Sequence, residues 1–284
     1  MYRLILFSLL LCLLSCRESR TGVLSADARG EVFQQRRTLA GLDSLFSASN
    51  LTGSILLYDE SSDSLFSNDF GWKAEGALPA STFKIANTVI GLELELLKDQ
   101  NTVFEWDGTE RNNAGWNQDL TVQQAFARSC VPCYRGLARS IGAERMNDYL
   151  RKLNYADITV TPDSVDVFWL LGSARTSPLE QLRFPHNIKN QSLPLRPETY
   201  TKLSAIMRRP EGKGYKLYGK TGWSIDRGQN NGWFVGYAVA GERTVYVIVN
   251  VEPVNEFDRE VLLTGRMAIA LAGIRAILDG NLAE

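Results

Sequence analysis

Apolar and polar positions alternate near both ends of the chain and recur at helical spacing in the middle. Residues 51–58 and 63–68 are short apolar-rich runs separated by Asp59-Glu60-Ser61-Ser62, a pattern that predicts a β-hairpin. After Pro79, residues 81–97 carry Phe83, Ile85, Ala86, Val89, Ile90, Leu92, Leu94, Leu96 and Leu97. That stretch is apolar nearly all round, so it predicts a buried helix. Residues 121–128, 143–153, 179–184 and 197–207 predict further helices, joined by loops containing Asn, Gly, Asp and Pro. Toward the end, residues 215–220, 232–240 and 244–251 are strand-like, with Gly241-Glu242 as a turn, and residues 261–278 predict an amphipathic helix lying across the sheet. β-rich ends bracketing a helical middle imply an α/β chain of the α+β kind: an antiparallel sheet built from both termini, with a helical insert. A cleft between the two parts is the expected site.

The first residues stand apart from this pattern. Arg3 is followed by an apolar run, residues 4–14, broken only by Ser8, so residues 1–15 predict a signal peptide too short to span a bilayer as a mature helix. The run ends in Leu13-Leu14-Ser15-Cys16, which resembles the lipobox of bacterial lipoproteins, where the cysteine becomes the lipidated N-terminus. Residues 16–30, rich in Arg, Ser, Gly and Ala, predict a flexible tether, leaving residues 31–284 as one domain. The expectation is an exported protein, in the periplasm or at the outer membrane, touching lipid only through Cys16. Two cysteines remain in the domain, Cys130 and Cys133, and their spacing leaves open a local disulfide or two small buried thiols.

Composition narrows the function classes. The 284 residues carry 31 Lys plus Arg against 32 Asp plus Glu, and a net charge of -1 disfavours a nucleic-acid protein. Apolar residues at 44% and charged residues at 22% are those of a folded domain and exclude general disorder. There is one histidine, His186, so a multi-histidine zinc centre is excluded and a Ser-His-Asp triad would have to use it. Between Pro185 and Asn187, His186 is expected in a surface loop without a catalytic role.

The base role then falls to lysine. In Ser81-Thr82-Phe83-Lys84, residues i and i+3 share a helical face, which brings the serine hydroxyl and the amine within hydrogen-bond reach. A serine at a helix start also meets free backbone N–H groups that favour an oxyanion. A buried lysine loses basicity and becomes a usable proton acceptor. Lys220-Thr221-Gly222 closes a predicted strand and can present positive charge and backbone N–H groups to a carboxylated amide, while Ser129 in Ser129-Cys130-Val131 can relay protons between the two lysines.

These three elements, in this order, match the S-x-x-K, S-x-V and K-T-G pattern of penicillin-recognising serine enzymes. With Trp106-Asp107-Gly108, Trp116-Asn117-Gln118-Asp119, Phe168-Trp169-Leu170 and Trp233-Phe234-Val235-Gly236, the chain resembles a class D, oxacillinase-type serine β-lactamase from about Asn50 to its last helix. The resemblance implies the penicillin-binding transpeptidase-like fold, a small-molecule β-lactam as substrate, and no metal or organic cofactor beyond carbon dioxide or bicarbonate. It implies Ser81 as the acylated nucleophile and Lys84 as a carbamylated general base, with Trp169 donating to the carbamate and Phe83 and Val131 as apolar walls. Ser129 would carry a proton to the lactam nitrogen beside Lys220. The N–H groups of Ser81 and Trp223 would form the oxyanion hole, and Thr221, Gly222 and Arg266 would meet the substrate and its carboxylate. The chain departs from the family at Tyr155-Ala156-Asp157, where Tyr-Gly-Asn is usual, and at Leu171, where an acidic residue is frequent. Cys130 within the S-x-V segment is also unusual. Transpeptidases and β-lactam sensors of the same fold are the competing functions, because they acylate without rapid turnover.

Overall fold

The computed structural model describes residues 33, 35–47 and 49–282. The signal peptide, the tether and Cys16 lie outside the described residues. The sheet is built from β1 (Gln35–Thr38), β2 (Leu51–Asp59), β3 (Ser64–Ser67), β6 (Arg208–Arg209), β7 (Lys216–Asp226), β8 (Gln229–Ala240) and β9 (Arg243–Pro253). Their order is β1-β3-β2-β9-β8-β7-β6, antiparallel throughout except for the β1–β3 pair. Strands from the two chain ends meet where β2 pairs with β9, so the sheet is assembled from both termini around a helical insert. A second, two-stranded ladder joins β4 (Val103–Phe104) to β5 (Leu120–Thr121) within the insert.

Alternation along the central strands explains the layers. On β9, Val245, Val247, Val249 and Val251 face one core, while Tyr246 and Ile248 face the other. Side chains of successive strand residues point to opposite faces, so a strand apolar at every position must be covered on both sides. One cover is α8 (Arg259–Leu278), which packs on β2, β8 and β9 through Leu262, Ile269, Ile274 and Ile277. Its glycines permit that approach: a Cβ on Gly265 would lie 2.6 Å from Leu51, and one on Gly273 2.5 Å from Ile55. The opposite cover includes α2 (Lys84–Glu93), α4 (Val131–Ile141), α5 (Ala143–Lys152), α6 (Pro178–Lys189) and α7 (Pro197–Met207). Two short helices complete the set, α1 (Ser44–Ser47) and α3 (Val122–Ala127).

Several elements differ from the sequence reading. The helix expected over residues 81–97 opens as a 3-10 turn, Ala80–Phe83, and its α-helical part stops at Glu93. Glu95 is left-handed there (φ 57°), and the Arg196 guanidinium donates to the Leu92 carbonyl, replacing the next helical partner. Helix α4, with Tyr134, Leu137, Ala138 and Ile141 buried at helical spacing, is not among the elements expected, and β7 runs past Lys220-Thr221-Gly222 to Asp226. Helix α6 continues through Pro185 because Leu182, Phe184 and Ile188 keep its buried face continuous. His186 is therefore helical and half-buried, its ring among those of Phe33, Tyr58 and Tyr246 at 5.2–5.7 Å, and not in a surface loop.

Candidate active site

The turn that carries Ser81 is tied down on both sides. Ala80 is left-handed (φ 51°), a conformation that costs an L-residue about 1–2 kcal/mol, and its N–H donates to the Trp169 carbonyl at 2.8 Å. Across from it runs β7. A Cβ on Gly222 would lie 3.1 Å from Thr82 Cγ2 and 3.2 Å from the Pro79 carbonyl, so glycine lets the strand edge close on the turn. Ser81 and Trp223 are thereby brought to the same cleft.

Two serine–lysine pairs converge there. Lys84 is fully buried and its Nζ donates to Ser81 Oγ at 3.0 Å. Burial alone pushes this amine down to about 7, within reach of the neutral state at physiological pH. The Tyr134 ring lies 5.2 Å from the same Nζ. Lys220, also fully buried, donates to the Ser129 hydroxyl and, at 3.0 Å, to the Thr221 carbonyl. Burial lowers its pKa well below the usual lysine value, and the charges of Lys84, Arg209 and Arg266 push the same way. Ser129 meets Lys220 because its backbone is left-handed (φ 52°) between α3 and α4.

Trp169 is fully buried, stacked on Phe83 at 5.4 Å, and its indole N–H has no hydrogen-bond partner among the described residues. A buried donor left without an acceptor costs about 1–3 kcal/mol, so its orphaned state is informative. Edge-on contacts from Phe168 and Tyr155 hold Phe83 in place at 4.8 and 5.4 Å. Tyr155, the first residue of the departing Tyr-Ala-Asp segment, thus supports the apolar wall behind Lys84. The loop carrying Trp169 is fastened to α4 by Asp166, which accepts from Arg135 and Arg139. That clamp was missed in the sequence because its partners are 27 and 31 positions away. Leu171 is 61% exposed and makes no such tether.

Arg266 lies on the buried face of α8 and donates to the Gly222 carbonyl. Among the described residues no carboxylate pairs with it, and burial, aided by Arg209, lowers its pKa to about 10. Thr221, Gly222, Trp223 and Arg266 line one cavity of about 740 Å3 together with Ser81, Ser129 and Val131. Arg111, Trp116 and Arg128 line it too, and of these only Trp116 lies in a motif that the sequence singles out. Cys130 and Cys133 are joined as a disulfide, with Cα atoms 5.5 Å apart. His186 and its aromatic neighbours are absent from the cavity lining.

A serine hydroxyl at a helix start, a buried lysine whose ammonium gives up its proton more readily than usual, and a second serine–lysine pair facing them are the groups that acyl-transfer chemistry needs. The sequence matches the penicillin binding protein transpeptidase domain over residues 49–262. It is 35% identical over 201 residues to the probable beta-lactamase YbxI of Bacillus subtilis, covering 70% of this chain and 74% of that protein. It is 33% identical over 214 residues to beta-lactamase OXA-10 of Pseudomonas aeruginosa, covering 74% and 80%. Among solved structures, the class D beta-lactamase YbXI from Nostoc superposes with a TM-score of 0.78 at 31% identity, covering 83% of this chain and 98% of that one. The C-terminal domain of the Bacillus licheniformis BlaR penicillin-receptor shares the fold, with a TM-score of 0.76 at 24% identity. The chain belongs to the class D β-lactamases, within the penicillin-binding transpeptidase family.

Proposed function

We propose that this enzyme hydrolyses penicillin-type β-lactams through an ester on Ser81, with Lys84 carrying the general base, and that it confers resistance to them. The observation that carries this reading is the buried pair Ser81 and Lys84 together with the Trp169 indole, stacked on Phe83, whose N–H has no acceptor among the described residues. The pocket fits carbon dioxide as a covalent partner of Lys84. Only a neutral amine adds to it, burial supplies one at Lys84, the fully buried Phe83 helps to keep water out, and the Trp169 indole N–H has no partner among the described residues. Held as a carbamate, the group would supply an anionic oxygen base for acylation and deacylation.

The remaining work belongs to the chain itself. Ser81 Oγ bonds to the lactam carbonyl carbon, and the N–H groups of Ser81 and Trp223 receive the developing oxyanion, each worth about 10² to 10³ in rate. The Ser81 proton passes to the base on Lys84, and as the C–N bond breaks Ser129 gives its proton to the ring nitrogen and takes one from the Lys220 ammonium that donates to it. Arg266 and Thr221 bind the substrate carboxylate; the guanidinium has no acidic partner within the described residues to compete with it. The same reading places the mature enzyme in the periplasm or at the outer membrane, anchored by lipid on Cys16, with no nucleic-acid partner.

Penicillin hydrolysis by the purified enzyme, with and without added bicarbonate, tests the mechanism. Bicarbonate should raise turnover, and bicarbonate-independent turnover that survives Lys84→Ala would refute the base assignment. A stable acyl adduct by mass spectrometry with no turnover would instead favour a penicillin receptor or transpeptidase. Mass spectrometry of the mature N-terminus should find a diacylglyceryl group on Cys16, and an unmodified terminus elsewhere would refute the anchor.

A further inference from the structure

We propose that the Cys130–Cys133 disulfide positions Ser129 for proton transfer, making the rate of the reaction sensitive to thiol reductants. The proposal rests on the hydrolytic reading above. Ser129 and Val131 line the catalytic cavity, whereas Cys130, Pro132 and Cys133 line a neighbouring cavity of about 410 Å3 that shares Arg111 and Trp116 with it. The disulfide thus lines one cavity from positions that alternate with, and directly adjoin, residues lining the other. Cys130 is fully buried and follows Ser129 directly, and its N–H donates to the Ala125 carbonyl at 2.8 Å. It is also the N-cap of α4, accepting from the Cys133 N–H at 3.3 Å.

Ser129 itself sits in the left-handed region, which no glycine relieves here. Its hydroxyl reaches Lys220 only from that backbone conformation, across 91 positions of sequence. No side chain other than the disulfide ties this segment covalently to the helix that follows. Cutting the bond leaves Cys130 held by its own packing, its N–H bond to Ala125 and the weak Sγ cap of α4, one residue from the proton carrier and one from the apolar wall at Val131. Cys133 is only partly buried and opens on the second cavity, so a small dithiol reaches the bond without entering the substrate cleft. The reduction balances as one disulfide and one dithiol giving two protein thiols and one cyclic disulfide, two electrons and two protons passing to the protein.

The test compares the purified enzyme before and after dithiothreitol, with free thiols counted and excess reductant removed anaerobically, by acylation rate and by kcat and KM for a penicillin. Reduction should lower the acylation rate and kcat about 10- to 100-fold, as an ångström-scale misplacement does, and leave KM within about twofold. Reoxidation should restore both. Ser129→Ala, which has no hydroxyl to aim, should lose no further activity on reduction. Unchanged rates in the fully reduced enzyme would overturn the proposal. So would an equal loss in wild type and Ser129→Ala, because the bond would then support the fold at large. Cys130→Ala/Cys133→Ala should match the reduced enzyme; should that variant not fold, the reversible chemical reduction decides. An oxidised enzyme that acylates without turning over would count against the hydrolytic reading alone, since the acylation rate still reports the effect on Ser129.

Discussion

The two serine–lysine pairs of the cleft use the same residues and are built in opposite ways. Ser81 and Lys84 are three positions apart at one helix start, so the geometry of a single turn brings them to 3.0 Å. Ser129 and Lys220 are 91 positions apart and meet only because a left-handed serine between two helices faces the middle of β7. The local pair is as rigid as its helix, whereas the distant pair depends on the register of the sheet and on the α3–α4 junction. Both lysines are fully buried, yet only Lys84 is shifted by burial alone; Lys220 also feels three neighbouring cations. One pair is thereby suited to accept a proton, and the other to steer one beside a concentration of positive charge.

Breaking the local pair should have the largest effect. Lys84→Ala should reduce kcat by about 10²- to 10⁴-fold, the usual worth of a positioned base, with a penicillin still able to enter the cleft. Breaking the distant pair should cost less: Ser129→Ala should lower kcat by about 10²-fold while thermal melting shifts little, since Lys220 keeps the Thr221 carbonyl as a partner. Arg266→Ala removes one of the cations around Lys220 but leaves both serine–lysine hydrogen bonds in place, and should raise KM by about 10- to 100-fold, reflecting the ~1.5–3 kcal/mol of a charged hydrogen bond, with kcat the smaller change. A pH profile sharpens the distinction between the lysines. Below about 7 Lys84 is increasingly an ammonium, which neither accepts a proton nor adds carbon dioxide, so kcat should fall about tenfold per pH unit on that side and level off above it. An acid limb that disappears in Ser129→Ala would move the titration to the other pair. The smallest catalytic effect belongs to His186→Ala, with kcat within about twofold. Its melting temperature should fall by about 2–5 °C from lost ring packing against Phe33, Tyr58 and Tyr246.

Much of the scaffold was legible because its signals are local. The period-two valines of β9 and the apolar helix after Pro79 announce themselves within a dozen residues, and they gave a sheet closed from both ends around helices. Boundaries failed where tertiary partners overrule local preference. Arg196 caps α2 from 104 positions away and ends it at Glu93, and a continuous buried face carries α6 through Pro185. His186 was misplaced for the same reason: a proline beside it suggests a loop unless the packing beneath is known.

For the site, the sequence by itself determined which groups are present. One histidine excludes imidazole chemistry from most roles, and Ser81 three positions before Lys84 on an apolar helix dictates a serine–lysine contact and a weakened lysine, because helix geometry and burial act within one turn. Tertiary structure decided everything that needs two distant segments to touch. The Trp169 indole without a partner among the described residues, the Asp166 clamp, the closure of Gly222 on the Ser81 turn and the placing of Cys130 in a cavity next to the cleft all depend on long-range packing. Such contacts form only after the chain has met the entropy cost of bringing remote residues together, and no short window of sequence records where that happens.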